Sequence, residues 1–271
     1  MAFFKKEKTQ NQKKEVRNIP EPQVKKVQPK PSIATVISKG IKVSGNFNGN
    51  DNIQVDGQLD GNIEGKNSVL INGQHNGDIS VSSLTIGRAG SVNGTVRAKT
   101  ILVEGSIMGE VQCGDLEIAK SGTVSDRIHS VNIVIHGKAL GTIVSDQTVS
   151  ITKGSSVKAK VDSKKINING TVDGDVYASE ILEIAHDGQV TTEKLKSKKV
   201  VVNGKVNGKV VASELLEVGR NGFVQGEITV KNIKTEEGGR VIGTMVIYEE
   251  PRKEIEAEVI DAEPVTRTQK R

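Results

Sequence analysis

The sequence predicts an all-β fold, a three-sided β-solenoid of about 13 coils with a polar tail at each end. Three observations predict it: a short repeating unit, the separation of prolines from glycines along the chain, and the scarcity of aromatic residues. The 271 residues include 29 glycines but no tryptophan, two tyrosines and four phenylalanines. Because aromatic side chains usually supply much of a globular core, this core has to be built from Val, Ile and Leu.

Proline and glycine divide the chain into three segments. All six prolines lie in residues 1–31 or 249–271, and all glycines lie between Gly40 and Gly243. Proline lacks the backbone donor that an inner strand needs, whereas glycine supplies tight turns. We therefore expect a flexible, basic, proline-containing tail over 1–31, one continuous β body over 32–248, and a flexible acidic tail over 249–271.

The repeat is clearest in residues 53–63, Ile-Gln-Val-Asp-Gly-Gln-Leu-Asp-Gly-Asn-Ile, which residues 166–176 and 200–210 echo. Apolar residues at i and i+2 predict a short strand with one buried face, and Asn-Gly or Asp-Gly then turns the chain. Two further strands follow, so each unit is expected to form one three-sided coil that is stable only when stacked on its neighbours. The predicted units begin at Ile41, Ile53, Val69, Leu84, Ile101, Leu116, Ile133, Val149, Ile166, Leu182, Val200, Leu216 and Ile233.

Two residues break the predicted inward pattern. His75 stands where Leu59 and Val172 point inward, and Lys194 stands where an apolar residue is expected, with Leu195 one position late. A one-residue bulge near 191–195 would restore the pattern. A buried, neutral, hydrogen-bonded histidine is the simplest interpretation of His75, and a pH-sensitive switch is the alternative.

Composition excludes several classes of function. The net charge of +5 comes from the N-terminal tail, where residues 1–31 hold nine Lys/Arg against three Asp/Glu, so we expect no nucleic-acid partner for the body. Cys113 is the single cysteine, which excludes an intramolecular disulfide and suits a cytoplasmic location. No apolar stretch of about 18 residues is present to span a membrane, and the N-terminus lacks a secretory signal.

Catalysis is not expected either. Asp56, Asp60, Asp173 and Asp175 lie at turns or on outward faces, where turn chemistry already accounts for them. No triad-like arrangement, metal-ligand cluster or phosphate-binding loop is present in the pattern. The sequence therefore predicts a protein that is not an enzyme and uses no cofactor or metal.

The repeat units carry a family resemblance. Residues 35–45, Thr-Val-Ile-Ser-Lys-Gly-Ile-Lys-Val-Ser-Gly, followed by 53–63, resemble the start of a bactofilin domain, and later units continue the likeness across most of 33–247. The resemblance implies a right-handed β-helix that assembles end to end without nucleotide and forms a bacterial cytoskeletal scaffold for cell shape or envelope organisation. It also implies attachment to the inner membrane face and envelope proteins as partners. The body is about twice the length of an ordinary member, as if duplicated.

The open ends of the solenoid are the predicted sites of self-assembly, because terminal coils leave backbone groups unpaired. The predicted polymer interface comprises Ile41, Val43, Phe47, Val241, Met245 and Ile247. The alternative is a β-helix that does not polymerise and binds cell-wall glycan or a protein partner.

A second predicted contact lies in the N-terminal tail. Phe3 and Phe4 would enter a bilayer interface while Lys5 and Lys6 meet anionic headgroups. This contact would place a cytoplasmic protein at the periphery of the inner membrane.

Overall fold

The computed structural model describes residues 34–249, and within that range the chain consists of strands and turns. The predicted tails, apart from Glu249, lie outside the described residues. The strands of the described range are β1 (Ala34–Ile37), β2 (Lys42–Ser44), β3 (Phe47–Asn48), β4 (Asn52–Val55), β5 (Gln58–Asp60), β6 (Ile63–Glu64), β7 (Ser68–Ile71), β8 (Gln74–Asn76), β9 (Ile79–Ile86), β10 (Ser91–Asn93), β11 (Val96–Val103), β12 (Ser106–Met108), β13 (Val111–Ile118), β14 (Thr123–Ile135), β15 (Lys138–Ile151), β16 (Ser156–Ile168), β17 (Thr171–Asp173), β18 (Val176–Ile184), β19 (Gln189–Val202), β20 (Lys205–Val218), β21 (Phe223–Thr235) and β22 (Arg240–Ile247).

Every strand pairs in parallel with the equivalent strand one coil away, which confirms the predicted solenoid of about 13 turns. On the first face, Ile53 of β4 lies between Thr35 of β1 and Val69 of β7. The second face starts with β2, β5 and β8, and the third face starts with β3, β6 and β9. Strands such as β14 are long because they run over a corner from one face onto the next.

The core lies inside the coils and is made of stacked columns of Val, Ile and Leu, as the composition predicts. The first face contributes two buried residues to each interior coil, the second face contributes one, and the third face contributes one followed by a small residue two positions later. Stacking like residues in this way buries apolar surface, and each Å² removed from water stabilises the fold by about 25 cal/mol. Most residues of this last column are small, so we call it the small column. Its members are Gly49, Gly65, Val81, Ala98, Cys113, Ser130, Ser145, Ser163, Ala178, Ser197, Ala212, Val230 and Ile247.

The first coil begins at Thr35, so the predicted start at Ile41 is wrong. Thr35 pairs with Ile53, and Val43 pairs with Leu59 on the second face. Ile41 lies at the corner between these faces, where its carbonyl accepts a hydrogen bond from the Gln58 amide at 2.9 Å. The i, i+2 spacing of Ile41 and Val43 resembles the start of a first-face strand. The turn at residues 38–41 instead places Val43 on the second face.

The predicted bulge in the tenth coil is confirmed. The pairing of β19 with β20 shifts between Thr192 and Leu195, which inserts one extra residue. Leu195 then lies in the inward column and is fully buried, while Lys194 is exposed. The Lys194 amide donates to the Asp175 carboxylate at 3.0 Å, so the bulged backbone is satisfied.

Side chains at the corner between the second and third faces bond to the next coil. The Oδ1 atom of Asn46 accepts from the Asn62 amide at 2.9 Å, and Asn62 accepts in turn from the Asp78 amide at 3.0 Å. Asp78 accepts from the Thr95 amide at 2.9 Å. This ladder gives the turn residues a structural role, as expected for turn chemistry.

Candidate functional site

The two terminal coils differ from all other coils because they are paired on one side only. Among the described residues, β1, β2 and β3 pair only with the second coil, and β22 pairs only with β21. Alternate backbone donors and acceptors of these strands therefore face outward along the axis. Such edges are templates for a further strand.

At the C-terminal end, the inward columns become exposed. In the preceding coil Ile228 and Val230 are buried, whereas their counterparts in the last coil, Met245 and Ile247, are 49% and 76% exposed. Val241 is partly buried against the core. Removing apolar surface from water is favourable by about 25 cal/mol per Å², so covering this apolar end would be favourable.

At the N-terminal end, Val43 and Phe47 occupy the inward columns of the second and third faces. Both are only partly buried, although Leu59 and Ile63 directly above them are fully buried. The side chain of Ile41 is 50% exposed at the neighbouring corner. The structure thus brings the three N-terminal interface residues predicted from the sequence onto the same coil.

The structure adds residues that sequence reasoning missed. Thr35 lies in the first inward column of the N-terminal coil and is exposed. Ile233 occupies the same column at the C-terminal end and is also exposed. Thr35 lies 18 residues before Ile53, within the range of 15 to 18 that separates the later coils, but a threonine in place of an aliphatic residue concealed this signal. Phe3, Phe4, Lys5 and Lys6 lie outside the described residues.

His75 is a buried defect within the third coil. Its ring lies between Leu59 and Val92 in the second-face column, and neither ring nitrogen has a hydrogen-bond partner. The predicted burial of His75 is confirmed, but the expected hydrogen bond is absent, since the ring is flanked in its column by Leu59 and Val92. Burial lowers the pKa of His75, while the backbone of Gly77 and the carboxylates of Asp60 and Asp78 act in the opposite direction.

The stability of the coils around His75 should fall as the pH falls below about 6.5, the usual pKa of histidine. A pKa lowered by folding means that the unfolded chain binds more protons in this range. The free energy of unfolding then drops by up to about 1.4 kcal/mol per pH unit until the folded pKa is reached. Hydrogen exchange of residues 68–98 at acidic and neutral pH measures this, after correction for intrinsic rates.

Replacing His75 by Val should remove this pH dependence, because valine fills the same column in neighbouring coils. His129→Val, which changes an exposed histidine, is the matched control and should leave the pH dependence of stability unchanged. An unchanged pH response in His75→Val would show that another group is responsible.

The thiol of Cys113 is packed in the small column. Its Sγ atom lies 3.4 Å from the Ser130 hydroxyl, and burial raises the pKa of Cys113 to about 11. A thiol held protonated is a weak nucleophile, so Cys113 acts as a packing residue.

The carboxylates at the turns are engaged locally. Asp60 accepts hydrogen bonds from Asn76 at 2.7 Å and lies 2.9 Å from the Lys42 ammonium, and these contacts lower the pKa of Asp60 to about 2. Asp56 accepts from Asn72 at 2.7 Å. Among residues 34–249, no group of three or more His, Cys, Asp or Glu side chains is placed to hold a metal ion.

Comparison with known protein families matches the chain to bactofilins, described as polymer-forming cytoskeletal proteins. The family model matches three times, over residues 60–136, 129–193 and 168–246. The chain belongs to the bactofilin family. The overlapping matches show that this bactofilin holds the family pattern repeatedly along one solenoid. No curated protein and no solved structure matches the chain.

Membership of a family described as cytoskeletal supports a structural role for the solenoid. Self-association is the property that the family description names. In the described part of this bactofilin, no helix is both long and apolar enough to cross a membrane.

Proposed function

We propose that this bactofilin is a non-enzymatic scaffold that assembles end to end, without nucleotide, through its two terminal coils. The observation that carries the proposal is the exposure of Met245 and Ile247, whose counterparts one coil earlier, Ile228 and Val230, are buried. Stacking a second copy on this end would continue the strand ladder and cover both side chains. The polymer would lie at the cytoplasmic face of the membrane and support cell shape or envelope organisation.

Electron microscopy of the purified full chain, in buffer without nucleotide, tests the proposal. Elongated polymers are expected, in which successive coils repeat about every 4.8 Å along the axis. Analytical ultracentrifugation over a range of protein concentrations gives the association strength. Monomers that persist at high concentration would contradict assembly and would favour the alternative, a β-helix that binds glycan or a protein partner.

Membrane contact through Phe3, Phe4, Lys5 and Lys6 is part of the proposal. Changing both phenylalanines to serine should weaken binding to vesicles that contain anionic phospholipid, because the apolar contribution is lost. Co-sedimentation measures it, and a variant with Met108 and Leu140 changed to serine controls for the loss of two exposed apolar side chains elsewhere. Undiminished binding would remove Phe3 and Phe4 from the contact.

A further inference from the structure

The charge of the solenoid is segregated although its total is zero. Residues 34–249 hold 24 Lys/Arg and 24 Asp/Glu. In each coil a few residues lie between the buried residues of the first face and the inward residue of the second face, and we call the column of these residues the first corner. The first corner holds nine Lys/Arg against five Asp/Glu, so all other described residues together carry the opposite excess.

The corner between the second and third faces carries the opposite sign. It holds five Lys/Arg against eight Asp/Glu, among them Asp60, Asp78 and Asp175. The corner between the third face and the next coil is nearly neutral, since it holds seven Lys/Arg against six Asp/Glu. The positive potential is therefore concentrated on one side of the described solenoid.

Protruding turns carry the charge of the first corner. The longer coils contain a four-residue turn in which the fourth amide donates to the first carbonyl, as from Gly90 to Gly87 at 2.7 Å and from Gly122 to Ala119 at 2.8 Å. The second residue of each such turn is basic in six of the seven described examples. These residues are Lys39, Arg88, Lys120, Lys153, His186 and Arg220.

The fold does not require a basic residue at this position. The second position of such a turn accepts most residue types, and the last example has Glu237 there. All six basic residues are exposed. From the fourth to the twelfth coil they recur at every second coil, which is about 9.6 Å for strands spaced about 4.8 Å apart.

Three of these six side chains lie beside a carboxylate within the described residues, among them His186, which is charged only when protonated and lies 3.4 Å from Asp187. Lys153 lies 3.0 Å from the Asp187 carboxylate, and Arg88 lies 3.9 Å from that of Glu104. No ion pair is formed by Lys39, Lys120 or Arg220 in the described range. Cations without protein partners along a column favour an extended anionic partner.

The shape of the first corner favours a flat partner over a nucleic acid. Cations at the tips of protruding turns form a convex edge, which meets a plane along its whole length. In the first corner of the described solenoid Phe223 is the only Phe, Tyr or Trp, so the column offers no repeated platform on which bases could stack. The headgroup layer of a bilayer offers anionic charge at any spacing and needs no groove.

We propose that the first corner is the surface on which the solenoid lies against an anionic lipid bilayer. This inference extends the proposed role at the membrane face. It differs from the tail contact because it fixes which side of every coil faces the lipid. The terminal coils remain free for assembly, since the column runs along the axis. Each added copy would contribute further cations to the same surface, so polymers should bind more tightly than single chains.

The test uses a full-chain variant with Lys39, Arg88, Lys120, Lys153 and Arg220 changed to Gln. The matched control changes five exposed lysines on the other corners, Lys66, Lys99, Lys158, Lys164 and Lys198, to Gln. Both variants lose five charges. Both are made with Phe3 and Phe4 changed to serine, so that the tail contributes less. Flotation with phosphatidylcholine vesicles, with and without phosphatidylglycerol, measures binding.

Each basic residue near such a surface strengthens binding by up to about fivefold, and the two ion-paired residues should contribute less. The first-corner variant is therefore expected to bind anionic vesicles at least about tenfold more weakly than the control. Both variants should still form polymers by electron microscopy, which separates lipid contact from assembly.

Several results would overturn the inference. Equal loss in both variants would mean that net charge alone acts, and unchanged binding of the first-corner variant would exclude this surface. Loss of polymers in that variant alone would make the first corner an assembly surface. Tighter binding to a fluorescent DNA duplex than to vesicles, lost in the same variant, would reassign the partner to nucleic acid.

Discussion

Met245→Arg is expected to weaken end-to-end association by about 100-fold, because an unpaired charge buried at a junction costs several kcal/mol. Met245 lies in an inward column of the last coil and is 49% exposed only because no coil follows among the described residues. In the proposed polymer a second copy would cover it. Sedimentation and negative-stain electron microscopy should show monomers or dimers in place of long polymers.

Met108→Arg is the matched control for this prediction. Met108 is 52% exposed, similar to Met245, but it points outward from an interior coil. The same substitution at Met108 should leave polymer length unchanged. Long polymers in Met245→Arg, or equal shortening in both variants, would contradict a junction at the last coil.

Phe47→Arg extends the same prediction to the N-terminal end. Phe223→Arg is its control, since Phe223 is half-buried on the outside of the twelfth coil. If copies join head to tail, either end variant should stop growth at the monomer. If like ends join, each single variant should stop at a dimer and only the double variant at the monomer. The oligomer size therefore reports the polarity of the polymer.

Gly94→Ala is expected to destabilise the neighbouring coils by about 3 kcal/mol, which combines the cost of a left-handed residue with that of overpacking. Gly94 has a φ of +144°, and a Cβ atom there would overlap the carbonyl of Gly77 in the coil below. Because each coil contacts only its neighbours, the effect should be local. Hydrogen exchange should report faster opening of the third to fifth coils.

Asp126→Gly is the counterpart of this variant and is expected to raise stability instead of lowering it. Asp126 has a φ of +95° and is the only non-glycine residue with positive φ in the described range. It pairs with Gly141 in the column to which Gly94 belongs. Glycine there should stabilise the sixth and seventh coils by about 1 kcal/mol, since the left-handed conformation no longer strains a Cβ. For the preceding prediction, hydrogen exchange of Gly94→Ala that matched the wild-type protein would show that the backbone at Gly94 moves at little cost.

Much of the fold could be predicted from local sequence because each coil repeats the same short pattern. The alternation of Ile53 and Val55, with Gly57 at the next turn, determines a strand, its buried face and its end. Even the bulge before Leu195 was predictable, since one inserted residue reverses the side-chain alternation. The exposed ends followed from the same pattern, because a stack must have a first and a last coil.

The sequence by itself determined the solenoid, its three faces and most residues of its inward columns, because period and turn chemistry act over a few residues. Only the tertiary structure decided the position of Thr35, the unsatisfied ring of His75 and the alignment of Lys120, Lys153 and Arg220 on one corner. Those features depend on which residues lie one or two coils apart in space. Residues about 16 or 33 positions apart become neighbours only when the strand register is fixed, and hydrogen bonding between coils fixes it.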